Sequence, residues 1–156
     1  MNEGGEMSGV DLFDFEASLQ ELLGRAVKTE IEEAEFYRDL LEKNLLDETR
    51  STIEKFIEEE EEHEEELRTI FEDFYPGKKI TVPEGLMLEV PGGVSRRSGP
   101  RNLMEKAMYG ERDAEKFYRK LTDEFEGKEV RRLLGYLATR EREHYEILKV
   151  ELKKFE

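Results

Sequence analysis

The two histidines of the chain each close the same four-residue motif, Glu-x-x-His. The motifs are Glu60–His63 and Glu141–His144, in a chain of 156 residues. Residues three apart on a helix lie within about 60° of each other, so each motif sets a carboxylate and an imidazole on one face. Oxygen and imidazole nitrogen are ligands for divalent metal ions. One such motif in a glutamate-rich helix is a weak signal, but two that use both histidines indicate a metal site.

The two motifs belong to an internal duplication. A shift of 81 residues aligns Glu60 with Glu141, and it also aligns Glu30 with Glu111. The same shift superimposes the tripeptide FYR at 36–38 on FYR at 117–119, without a gap between the matching parts. Self-similarity at a fixed offset marks repeated supersecondary units. We interpret the chain as a duplicated helical hairpin.

The duplication also divides the acidic run FIEEEEEHEEEL at residues 56–67, which reads LATREREHYEIL in the second copy. Only Glu60 and His63 both keep an identical counterpart and lie in the apolar stripe of the helix. The aligned partner of Glu64 is Tyr145, and its role stays open. The remaining glutamates are predicted to be solvated, because salt screens their repulsion at the surface; apart from Glu60 and Glu64, they are Glu58, Glu59, Glu61, Glu62, Glu65 and Glu66.

Apolar residues recur with helical spacing over four segments. The predicted helices are 14–43, 47–74 (or from Ser51), 102–125 and 128–156. Ser18 and Glu21 have capping-box spacing, which offers a later start for the first helix. Gly127 is placed to end the third helix. The prediction is an all-α, single-domain four-helix bundle made of two duplicated hairpins.

Residues 75–101 are predicted to contain no helix and to form a long crossover between the hairpins. They contain all four prolines and two β-branched or apolar islands, KITV and LMLEV, that could pair as short strands. A connection of this length usually has a specific task, and here it would carry the chain from one end of the bundle to the other. Residues 1–13 are expected to be a mobile lead-in.

Composition excludes several classes of function. The net charge of -15 disfavours a nucleic-acid partner and an anionic membrane surface. The chain has no cysteine, which excludes disulfides, thiolate catalysis and iron–sulfur clusters within it. No apolar run approaches the roughly 20 residues that span a bilayer. We expect a cytoplasmic protein.

The first and third helices each add one acid to the same interior. Glu30 lies between small apolar residues of helix one, and Glu111 occupies the matching position of helix three. Four carboxylates and two imidazoles then converge, and buried charges are costly unless they are paired or bind metal. One Glu from each of two helices plus Glu-x-x-His from the other two is the ligand set of dinuclear iron or manganese sites. Two iron ions are the expected cofactor; manganese or zinc could also occupy the site.

With these motifs the chain resembles the ferritin-like superfamily and, within it, the rubrerythrin-like proteins. The resemblance covers residues 19–156 except the crossover, and it includes the repeated spacing Glu30–Tyr37 and Glu111–Tyr118. It implies that Glu60 and Glu141 bridge two metals, that Glu30 and Glu111 are terminal ligands, and that each metal takes one histidine. Tyr37 and Tyr118 would donate hydrogen bonds to carboxylates across the bundle; plain core packing is the alternative.

The chain departs from that family in two respects. Rubrerythrins carry a rubredoxin domain with Cys-bound iron, which this sequence lacks, so a separate electron-donor protein is expected. They also have an extra Glu three residues after the third-helix ligand, where this chain has Ala114. The equivalent position in helix one is Glu33, which we consider as an additional metal ligand, with a solvated boundary residue as the alternative.

The resemblance implies an oxidoreductase that reduces hydrogen peroxide or dioxygen at a di-iron site. No catalytic side chain is expected beyond the metal ligands. One alternative is iron oxidation for storage or transfer, and another is a bundle whose metal is structural or which serves as an interaction module. A homo-oligomer is expected, with a dimer as the first choice.

Overall fold

Four long helices make up most of residues 17–85 and 99–155, the part of the chain that the computed structural model describes. They are α1 (Leu19–Leu41), α2 (Asp47–Phe74), α3 (Pro100–Thr122) and α4 (Lys128–Leu152), with a 3-10 turn at Lys153–Phe155. α1 pairs with α2 and α3 with α4, and α1 packs along α3 while α2 faces α4. The predicted all-α four-helix bundle is confirmed. None of these helices combines the length and hydropathy that a bilayer-spanning segment needs.

The helix starts follow from local chemistry. α1 begins at Leu19, not near Asp14, because Ser18 accepts a hydrogen bond from the Glu21 backbone while the Glu21 carboxylate accepts one from the Ser18 backbone. This reciprocal pair satisfies two donors at the helix start. α3 begins at Pro100, two residues earlier than predicted. Proline suits the first turn, where its missing N–H would have no partner.

The third helix ends at Thr122 rather than at Phe125, because tertiary contacts replace its last turn. The side chain of Phe125 is buried and packs against Phe74, whose ring lies 5.1 Å away. The Arg131 guanidinium donates to the carbonyl oxygens of Thr122 and Phe125. Gly127 is the N-cap of α4 with φ of -69°, so its predicted role as the end of α3 is wrong.

The first part of the crossover packs on the open end of the first hairpin. Ile80 and Val82 lie against the apolar core, but residues 79–82 form no strand, contrary to the prediction for KITV. The backbone comes so close to α1 that a Cβ built on Gly24 would lie 2.1 Å from the carbonyl oxygen of Thr81. LMLEV and the predicted lead-in at 1–13 lie outside the described residues.

Replacing Gly24 with alanine is expected to destabilise the protein. Alanine favours the helix by about 1 kcal/mol, but overpacking against a fixed backbone costs about 1–3 kcal/mol. Gly135→Ala is the matched control, since a Cβ there has nothing within 4 Å and should stabilise α4. Guanidinium unfolding of both variants measures the difference. Equal midpoints for the two variants would show that the crossover does not press on α1.

The core consists of two apolar clusters that the duplication interchanges. One contains Leu22 and Leu67 from the first hairpin with Leu121 and Leu134 from the second. The other contains their counterparts under the shift of 81 residues, and these counterparts are Leu103, Leu148, Leu40 and Ile53. The helix bounds are also related by 81 residues. Both ends of α1 and α3 correspond under this shift, and so do the starts of α2 and α4. The hairpins are therefore related by a pseudo-twofold axis.

Candidate metal centre

A layer of acids and imidazoles interrupts the apolar core midway along the helices. All six predicted ligands lie in it, and all are buried. Glu30, Glu60, Glu111, Glu141 and His144 are 0% exposed, and His63 is 3% exposed. α1 and α3 each contribute one carboxylate, while α2 and α4 each contribute a Glu-x-x-His pair from a single face. The periodicity of the sequence thus brings all six to one place.

The six residues form two overlapping groups, each able to surround a metal ion. Within a group, one ligand atom from every residue lies within 4.8 Å of the others. Glu60 and Glu141 belong to both groups. The full groups are Glu30, Glu60, His63 and Glu141, and Glu60, Glu111, Glu141 and His144. Two ions with two shared carboxylates are what this overlap can accommodate.

The free carboxylate oxygens fit such a pair of ions. Tyr118 donates a hydrogen bond to Oε2 of Glu30, and Tyr37 donates one to Oε2 of Glu111, across the bundle. In each acid Oε1 has no hydrogen-bond partner among the described residues, and neither oxygen of Glu60 or of Glu141 has one. Buried polar atoms are rarely left in this state, because each costs desolvation energy. Metal coordination would satisfy them.

Both imidazoles present Nδ1 to the carboxylates. Nδ1 of His144 lies 3.2 Å from an oxygen of Glu111, and 3.7 Å from oxygens of both Glu60 and Glu141. Nδ1 of His63 lies 3.3 Å from Glu30 and 3.3 Å from Glu60. A ring nitrogen that must act as a metal ligand has to be free of its proton. The geometry therefore identifies Nδ1 as the atom of each histidine that faces the centre.

Charge crowding shifts the titration of these groups. Burial and then repulsion from Glu111 and Glu30 raise the pKa of Glu60 and of Glu141 well above the usual value. Burial lowers the pKa of His63, but Glu30 and Glu60 outweigh it and raise this pKa from 6.5 to about 10. The pKa of His144 also rises, since Glu111 overcomes the effect of burial. Without metal, the centre holds protons at neutral pH.

Metal binding at pH 7 is therefore expected to release about two protons from the histidines, and more from the acids. Calorimetric titration in buffers of different ionisation enthalpy measures the number. Affinity should fall as the pH falls, because protons compete for the ligands. Metal binding without proton release would contradict the assignment of the histidines as ligands.

The metal-free protein should lose stability as the pH rises from 6.5 through about 10, since the raised pKa of His63 stabilises the fold only while the ring is protonated.

Glu33 lies beside the centre but in neither group. Its side chain is 3% exposed, and neither of its oxygens has a hydrogen-bond partner within the described residues. Burial and then Glu111 raise its pKa well above the usual value. The alternative of a solvated boundary residue is wrong, because the carboxyl is buried. Whether Glu33 binds metal stays a prediction.

Glu59 is half-buried and contacts the centre, so the prediction that it is solvated is wrong. Its Oε1 lies 2.8 Å from Nε2 of His144, and it accepts hydrogen bonds from Nε and Nη2 of Arg140. Burial raises the pKa of Glu59, but the hydrogen bonds to His144 and Arg140 lower it to about 2. Glu59 aligns with Arg140 in the duplication. The opposite charges of Glu59 and Arg140 at equivalent positions were the sequence feature that could have predicted their contact.

The other glutamates of the acidic run differ in exposure according to their positions on the helix. Glu66 is half-buried rather than solvated, and burial raises its pKa. Glu64, left open by the sequence, is half-buried and pairs with Arg68 at 2.9 Å. The prediction of solvation holds for the exposed glutamates of the run, which are Glu58, Glu61, Glu62 and Glu65.

Comparison with known proteins agrees with this architecture. A family model described as Rubrerythrin matches residues 21–152. The solved structure of a hypothetical protein from Pyrococcus furiosus is similar with a TM-score of 0.81 and 35% sequence identity, over 93% of this chain and 95% of that chain. No curated protein matches the chain.

Proposed function

The chain belongs to the rubrerythrin family, and from this premise we propose that it is a di-iron oxidoreductase that reduces hydrogen peroxide or dioxygen. The observation that carries the proposal is the pair of overlapping ligand groups that share Glu60 and Glu141. In the proposed assignment these two acids would be shared by the two metal positions. Glu30 with His63, and Glu111 with His144, complete the two positions.

The side chains hold and orient the cofactor. Held as a pair, two Fe(II) ions would supply the two electrons that, with two protons, convert one molecule of hydrogen peroxide into two of water. Tyr37 and Tyr118 each fix one carboxylate oxygen, which leaves the other directed at the centre. The apolar clusters on both sides of the layer keep bulk water away from it.

A recess between α1 and α3 supports a small oxidant as the substrate. It is lined by Glu33 and Tyr37 on α1, and by Ala107 and Gly110 on α3. Its volume of about 10 Å³ has room for about one water molecule. Peroxide and dioxygen, with two heavy atoms each, are larger than one water molecule but nearer to this volume than an organic substrate, which would need a much larger pocket.

Electrons would have to come from a redox group outside these 156 residues. The sequence has no cysteine, so it cannot supply a thiolate-bound iron of its own. We propose a separate electron-donor protein, as the resemblance implies. Iron storage is the competing proposal, and the presence of one histidine in each ligand group favours iron that is retained.

Anaerobic loading followed by peroxide addition tests the proposal. The Fe(II)-loaded protein should consume about one peroxide per pair of irons and return to the starting spectrum when a reductant is added. The zinc-loaded protein is the control, since zinc has no redox chemistry and should consume none. Oxidation followed by release of iron would favour storage. Absence of any reaction with peroxide or dioxygen would refute the oxidoreductase proposal and favour a structural metal.

We extend the proposal to Glu33 as an additional ligand in the oxidised state, in which the greater positive charge favours another carboxylate. The buried oxygens of Glu33, which have no hydrogen-bond partner within residues 17–85 and 99–155, support this. Glu33→Gln is expected to change the visible absorption of the oxidised protein and to slow turnover about tenfold or more, as loss of a metal-site partner does. Glu35→Gln, at an exposed position on the same helix, is the control. Unchanged absorption and turnover would contradict the assignment.

A further inference from the structure

The two histidines of the centre are held differently, although the duplication makes them equivalent in sequence. Nε2 of His144, the nitrogen that points away from the acids, lies 2.8 Å from the Glu59 carboxylate. For Nε2 of His63, no carboxylate within residues 17–85 or 99–155 lies at ion-pair distance. The contact with Glu59 is thus found in one half of the centre.

The duplication itself removes the equivalent contact. The residue that corresponds to Glu59 in the second hairpin is Arg140, and a guanidinium has donors but no acceptor. Arg140 therefore cannot accept a hydrogen bond from Nε2–H of His63. Its donors go instead to Glu59 and to Glu143. Arg140 consequently stabilises the carboxylate that contacts the other histidine.

Ring packing reinforces the difference. Phe56 stacks on His144 with centroids 4.1 Å apart and an interplanar angle of 25°. The position equivalent to Phe56 in the second hairpin is Leu137, which has no ring. His63 meets Tyr136 edge-on, with centroids 6.4 Å apart. His144 is thus held at its outer nitrogen and on its ring face.

We propose that Glu59 is a positioning residue for His144, and that it makes the two metal positions unequal. The inference rests on the proposed two-metal centre. By accepting a hydrogen bond from Nε2–H, the carboxylate holds the ring so that Nδ1 of His144 faces Glu60, Glu111 and Glu141 and is the nitrogen left to bind a metal. Such an acceptor fixes the tautomer of a ligating histidine and raises its basicity. The position that contains His144 binds its metal first, and the one that contains His63 binds second and loses its metal more readily.

Titration of the metal-free protein with Co²⁺, followed by visible absorption and by metal analysis after gel filtration, tests the inference. The expected result is two steps, with the first Kd at least about tenfold lower. Glu59→Gln should weaken the first step about 10- to 100-fold and leave the second unchanged. His144→Ala should remove the first step, and His63→Ala the second. Glu58→Gln, exposed on the same helix, should change neither.

A second readout uses the zinc-loaded protein and needs no change at a ligand. In nitrogen-15 spectra the Nε2 proton of His144 should exchange slowly with solvent and that of His63 rapidly, and Glu59→Gln should accelerate only the former. Equal affinity of the two steps, equal weakening of both by Glu59→Gln, or an unchanged first step would overturn the inference. Because cobalt and zinc binding are measured without peroxide, a failure of the proposed reaction would leave this result intact, whereas absence of metal binding would refute both.

Discussion

Loading the metal-free protein with Fe²⁺ under anaerobic conditions is expected to raise its free energy of unfolding by about 8 kcal/mol, when free metal exceeds the Kd of both positions by about 1,000-fold. The gain has a physical origin in the buried oxygens of Glu60 and Glu141, which have no hydrogen-bond partner among the described residues. The unfolded chain disperses these ligands and binds metal weakly. Guanidinium unfolding with and without metal measures the change.

Removal of the metal should reverse the stabilisation. A chelator added after loading should return the unfolding midpoint to that of the metal-free protein, because nothing covalent has changed. Mn²⁺ should act in the same direction, since oxygen and imidazole ligands suit both ions. If Fe²⁺ and Mn²⁺ shift the midpoint no more than Mg²⁺ does, the buried layer is not a transition-metal site.

Replacing Glu141 with leucine is expected to have opposite effects in the two states. In the metal-free protein it removes a buried carboxyl, neither of whose oxygens has a hydrogen-bond partner among the described residues, so stability should rise by about 1–3 kcal/mol. In the presence of metal the variant should lose most of the stabilisation, because Glu141 belongs to both ligand groups. A residue that served packing alone would lose stability in both states.

Glu146→Leu provides the matched control for this reversal. Glu146 lies on the same helix, is exposed, and pairs with Arg142 at 3.0 Å. Its replacement should change stability by less than about 0.5 kcal/mol with or without metal. The two variants are compared by the same unfolding measurement. A destabilised metal-free Glu141→Leu protein would show that the carboxyl already has a stabilising partner.

The centre could be anticipated because it depends on two regularities that a sequence displays directly. Helical periodicity puts Glu60 and His63 on the inward face, and the duplication repeats that choice at Glu141 and His144. A residue that faced inward by chance in one hairpin would not have had an identical counterpart in the other. The bundle followed from the same periodicity, with a capping box at Ser18 that marks the first helix start.

The features that escaped prediction depend on contacts between distant segments. Phe125 leaves the helical path because its ring is buried against Phe74, which no local pattern near residue 125 reveals. Gly24 owes its importance to the carbonyl of Thr81, far along the chain. Glu59 was assigned to the solvent because its aligned partner is Arg140, although that change of sign is what lets the two side chains pair.

The contact between Glu59 and Arg140 joins equivalent positions across the pseudo-twofold axis, and this has a consequence for how such a bundle can be assembled. Two identical hairpins related by true symmetry would set like charges against each other at this point, either two glutamates or two arginines. Neither arrangement could both neutralise the contact and hold one imidazole. When both hairpins lie on one chain, residues 59 and 140 can differ. A covalent duplication therefore allows the two metal positions to have different properties, which a symmetric pair of identical hairpins could not have.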